Sequence, residues 1–133
     1  MRLPAYGAGL ILAFFLGMFV GHKGVFSDIA RGVPGQRPAY LLASWKILSP
    51  EKLGPFGDTV IPLAKKAGME ILAADPKPEV LEGRWPYEGA LILERYDSMQ
   101  ALLKFWRSPA NRAAQKLREG FVDSEFIVAI ESQ

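Results

Sequence analysis

Cysteine is absent from the 133 residues, and histidine occurs once, at His22. The first absence excludes disulfides, thiolate nucleophiles, zinc–thiolate clusters and iron–sulfur ligation. The second leaves a Ser-His-Asp triad or an imidazole metal site with a single histidine to draw on. A glycine-rich phosphate loop, a paired-carboxylate motif and metal-ligand spacing are all missing. Excess charge is small: 16 basic and 14 acidic side chains give +2. Even that is uneven, with +3 on residues 1–38 and −1 on the remainder. No basic stripe of the kind that binds nucleic acid follows from this pattern. The length fits one domain, and 50% apolar against 23% charged residues argues for a folded chain.

What is present begins with an apolar run. After Met-Arg-Leu-Pro the chain reads AYGAGLILAFFLGMFVG with no charged side chain. As a helix it would span roughly 25 Å, near the hydrocarbon thickness of about 30 Å. The expectation is a single transmembrane helix over 1–23, in a bacterial inner membrane. No A-x-A site follows the run, where the sequence is Gly-His-Lys-Gly, so a retained anchor is favoured over a cleaved signal. Ala5, Gly9, Ala13, Gly17 and Gly21 recur every fourth residue, which places five small side chains on one helix face. Such a stripe suits helix packing inside a bilayer, against other transmembrane helices or subunits of a membrane complex. Lys23, Arg31 and Arg37 follow the run and lean the remaining chain toward the cytoplasm. His22 sits at the expected interface; an axial ligand to a partner's haem or chlorin is one use, and an interfacial polar residue the simpler one. Residues 24–38 hold three Gly and two Pro without periodicity and read as a linker.

Residues 39–133 read as one α+β domain. AYLLASWKI (39–47) is a strand. Ser49-Pro50-Glu51 starts a helix that Gly54, Pro55 and Pro62 should interrupt, ending irregularly near Lys66 with Gly68 as its cap. MEILAA (69–74) is a second strand, Asp75–Pro78 a turn, 79–82 an extended piece and 83–89 a loop. ALILER (90–95) is a third strand. Ser98 caps a helix over 99–106, and Ser108-Pro109 opens another through Arg118, closed by Gly120. EFIVAI (125–130) is the last strand. The order β-α-β-β-α-β predicts a ferredoxin-like domain: a four-stranded antiparallel sheet with helices on one face. Its uncovered face needs a partner, and apolar strands point to a homodimer.

The opening strand, the GMEIL strand, Glu79-Val80-Leu81-Glu82-Gly83-Arg84-Trp85-Pro86, the Leu91–Glu94 strand and Ser108-Pro109 before an Arg-bearing helix together resemble a bacterial family, domain of unknown function 1330. The resemblance covers residues 39–132, and the EVLEG-x-W-P block is its most specific part. It implies a dimeric α+β barrel, two sheets packed face to face, and no assigned activity. Three features depart from it: a first helix rich in Gly and Pro, an Asp-Pro-Lys-Pro turn, and Asn111 where an aromatic residue is usual.

Dimeric barrels of this kind often hold a small-molecule cleft between sheet and helices. Candidate acid–base residues are Glu94, Asp97 and Arg95; the ordinary alternative is solvated strand-end charge. Trp45 and Trp85, with Glu82 and Arg84, are candidates to line a ligand pocket, and Trp106 shares that composition; the alternative is core or interface packing. No metal and no cofactor is expected. Two functions compete. In one, the chain is an accessory or assembly subunit of a larger membrane complex, for example respiratory or photosynthetic, which it stabilises through helix packing and its α+β domain. In the other, it is a membrane-tethered barrel enzyme or small-ligand binder that uses the cleft.

Overall fold

A computed structural model describes residues 35–133. The elements run β1 (Ala39–Ile47), a 3-10 turn (Pro50–Lys52), α1 (Gly54–Lys66), β2 (Glu70–Asp75), β3 (Ala90–Tyr96), α2 (Met99–Trp106), α3 (Pro109–Lys116) and β4 (Val122–Glu131). The strands form one sheet in the order β2-β3-β1-β4, with every neighbouring pair antiparallel. This is the α+β ferredoxin-like arrangement. The anticipated membrane helix lies outside the described residues, as does the linker except for its last four positions.

Alternation along the strands decides what each face carries. Ala39, Leu41 and Ala43 of β1 point to the same side as Ile92 and Tyr96 of β3, and these pack with Ala64 of α1 and Leu102 and Phe105 of α2. The Tyr96 and Phe105 rings stack 6.1 Å apart. Burying a side chain of this size is worth about 1.5–3 kcal/mol, so this face holds the fold. The helix starts follow local chemistry. Ser98 Oγ accepts the Ala101 N–H at 3.1 Å, Ser108 Oγ accepts the Asn111 N–H at 3.2 Å, and Pro109 occupies the first turn of α3, where a missing N–H costs nothing.

The first helix differs from expectation. It runs unbroken from Gly54 to Lys66 through Pro62, after a separate 3-10 turn. Pro62 and Asp58, whose carbonyl loses its partner to the proline, both lie on the exposed side, where water can serve that carbonyl. Phe56 and Ala64 on the other side are buried, and their packing overrides the Gly-Pro content. Gly68, at φ +88°, closes the helix as expected. The extended piece 79–82 joins no ladder. β4 starts three residues earlier than its apolar run suggests, because a bulge interrupts the alternation: Ser44 pairs with Phe126 and Trp45 with Ser124, leaving Glu125 unpaired.

Candidate functional site

Between the sheet and the helices lies a cleft of about 60 Å³. Leu41 and Trp45 of β1, Ile92, Glu94 and Tyr96 of β3, Phe56 of α1, Trp106 of α2, and Asn111 and Gln115 of α3 contribute to its walls. Glu94 reaches it because β3 places every second side chain under the helices, opposite Leu41 in the pairing with β1. Among the described residues its carboxylate has one polar partner: the Tyr96 hydroxyl donates to Oε2 at 3.0 Å. No cation among the described residues stands within ion-pair distance. Burial therefore dominates and pushes Glu94 up to about 7, although the Tyr96 hydrogen bond pulls the other way. The Tyr96 phenol is pushed up as well, first by burial and then by the carboxylate beside it. Near neutral pH this pair holds a proton acceptor next to a hydroxyl that stays protonated.

Two further polar atoms on cleft residues are buried without a hydrogen-bond partner among the described residues, Trp45 Nε1 and Asn111 Oδ1. The Asn111 amide is half used, its Nδ2 donating to the Trp106 carbonyl at 3.0 Å. An orphaned donor and an orphaned acceptor cost about 1–3 kcal/mol each, which a water or a ligand in the cleft would recover. Behind them, the buried Arg118 guanidinium lies 4.8 Å from the Trp45 ring. It donates to Gln115 Oε1 at 2.8 Å and to Ser124 Oγ at 2.6 Å. These contacts fix the indole and the Gln115 side chain. Burial lowers the Arg118 pKa.

Of the residues singled out in the sequence, Glu94, Trp45 and Trp106 line the cleft. Arg95 points to the opposite face of the sheet, with Nη1 3.6 Å from Asp97 and 3.9 Å from Glu70. Asp97 is exposed just past β3. Trp85 meets Tyr87 and Phe126 edge-on at 5.0 and 6.0 Å on that opposite side. Glu82 and Arg84 are exposed in the β2–β3 connection. Asn111, noted only as a departure from the resemblance, is a cleft residue. Tyr96 was not singled out, yet its position two residues after Glu94 on a strand was the signal that they share a face. Gln115 carried no such signal. No group of three or more His, Asp or Glu side chains among the described residues could hold a metal ion. Ala5, Gly9, Ala13, Gly17, Gly21 and His22 lie outside the described residues.

A second carboxylate, also missed in the sequence, works on the bulge. Glu125 accepts the Ser44 hydroxyl at 2.8 Å and the backbone N–H groups of Glu88 and Gly89 at 2.9 and 2.7 Å. Its pKa is lowered, chiefly by the Glu88 N–H. Gly89 is required where this loop docks: a Cβ there would stand 2.3 Å from the Trp45 carbonyl carbon.

Solved structures share the fold. A protein of unknown function from Rhodopseudomonas palustris, RPA0582, is 18% identical, covers 74% of this chain and 84% of its own, and superposes with a TM-score of 0.60. Its methylated form, also 18% identical, covers 74% and 82% at 0.57. SnoaB, a cofactor-independent oxygenase from Streptomyces nogalater, is 7% identical over 73% of this chain and 94% of its own, at 0.44. No curated protein matches the chain. The expected role as an accessory subunit of a membrane complex is corrected by these findings. The Rhodopseudomonas palustris protein that shares the fold is described only as one of unknown function, so nothing in the comparison supports a membrane-complex subunit. No helix among the described residues is long and apolar enough to cross a membrane. Residues 38–131, more than half of the chain, match the model of the domain of unknown function DUF1330, and the protein belongs to that family.

Proposed function

We propose that the cleft is an acid–base site for a small molecule, with Glu94 as the proton acceptor. The observation that carries this reading is a carboxylate in a largely apolar cleft with no cation beside it among the described residues, held ready to exchange a proton near neutral pH. Tyr96 orients the carboxylate. Trp45 Nε1 and Asn111 Oδ1 offer one donor and one acceptor for the polar end of the ligand. A space of about 60 Å³ takes a small polar end and not a whole substrate, so Trp106, only half-buried, is the side chain that must yield. The test is a pH titration followed on the Trp45 indole N–H by NMR, with phenol as the ligand probe. A transition near pH 7 and phenol-induced shifts are expected in the wild type, and both should vanish in Glu94→Gln. An indole signal that ignores pH over a span of about four units centred near 7 would end the reading.

The same proposal includes a second copy of the chain on the open sheet face. Leu42, Leu91, Leu93 and Phe126 are only half-buried there, and Val128 and Ile130 are 45% and 55% exposed. The register sets Leu42 between Leu93 and Val128, so these side chains form one continuous patch. A patch at the middle of a sheet meets itself across a two-fold axis, which is the simplest way to cover it. Sedimentation should give a dimer, and Leu93→Glu a monomer.

A further inference from the structure

The helix side of the edge strand β4 is incompletely covered. Helices α2 and α3 have eight residues each, about 12 Å of length apiece. They leave Ile127 half-buried and Ala129 exposed on the strand beneath them. The result is an open groove of about 570 Å³, within the size range of small-molecule sites. Its floor is apolar, with Leu103, Trp106 and Ile127, and its rim carries Arg107, Arg112 and Lys116. All three cations are exposed, and none takes part in an ion pair among the described residues. Glu119 is the single carboxylate on the rim, so the groove is net positive.

We propose that this groove binds a small anion with a flat apolar body, such as an aromatic carboxylate. The apolar body would lie against Trp106 and Ile127, and the anionic group would face Arg112 and Lys116, which are one helical turn apart and so project together. Charge selects the ligand and the apolar floor holds it. The groove is separate from the acid–base cleft, although Leu41, Trp106 and Gln115 wall both spaces.

The experiment is an NMR titration of the full-length chain with 1-naphthoate and, separately, with its neutral analogue 1-naphthalenemethanol, read on the Trp106 indole N–H. The acid should shift that resonance and bind about tenfold more tightly than the alcohol, the size expected from two exposed charge contacts. Arg112→Gln with Lys116→Gln should remove that preference and leave the alcohol unchanged. Glu94→Gln should alter neither affinity, so the cleft reading can fail while this one stands. Equal binding of acid and alcohol would overturn the proposal, as would an indifferent double variant. Loss of naphthoate binding in Glu94→Gln would place the ligand in the cleft and also overturn it. A Trp106 resonance that moves on dilution without any probe would mean that a second copy covers the groove, with the same consequence.

Discussion

Glu94 and Glu125 are both half-buried carboxylates on strands of one sheet, and their surroundings drive them in opposite directions. Glu94 lies under the helices with a single hydroxyl to donate to it, and its pKa rises to about 7. Glu125 accepts three hydrogen bonds, two from backbone N–H groups, and its pKa falls. The difference lies in donors and not in residue type. A carboxylate supplied with donors is a structural bracket, here pinning the β2–β3 loop to β4. A carboxylate deprived of them is poised to take up a proton.

The comparison can be broken most severely at the bracket. Gly89→Ala forces a Cβ against the backbone of Trp45, and unfolding in urea should show a loss of about 3 kcal/mol or more. Next in size is the pH dependence of Glu94. Because its folded pKa lies above its ordinary value of 4.5, the folded state binds the extra proton between pH 4.5 and about 7. Stability should therefore be highest below that window and decline as pH rises through it, by up to about 3 kcal/mol from this group. Urea midpoints of Glu94→Gln measured from pH 4.5 to 8 should lack that decline. A wild-type curve as flat as the variant's would show that the carboxylate is better solvated than its position implies.

Glu125→Ala should lower the urea midpoint by less than Gly89→Ala, since it removes three hydrogen bonds but forces no Cβ into the Trp45 backbone. The sign of its pH effect is the reverse of that of Glu94: its stabilising contribution is present above pH 4.5 and is lost as pH falls below it. The smallest effect belongs to Lys46, whose ion pair with Glu88 is exposed on both sides. Lys46→Gln should leave the midpoint unchanged within error.

Much of the fold was legible because it is written in local patterns. The β1 span, the Ser98 and Ser108 caps and the strand-helix order all follow from side chains within a few residues of one another. Pro62 misled because a proline's cost depends on which side of the helix its unpaired carbonyl faces, and that is set by packing around Phe56 and Ala64. Glu94 was legible as a candidate, but equally so were Arg95 and Asp97. Only the register against Leu41 separates the one under the helices from its neighbours.

The sequence by itself determined the ferredoxin-like order of elements, the apolar character of the strands, the family membership visible in EVLEG-x-W-P, and the absence of any cysteine chemistry. The tertiary structure decided which side chains share a space. Glu94, Tyr96, Trp45 and Asn111 come from two strands and a helix, and Glu125 finds its donors 36 and 37 residues away. A carboxylate's pKa and role depend on desolvation and on donors that arrive from elsewhere in the chain, and no local pattern encodes either.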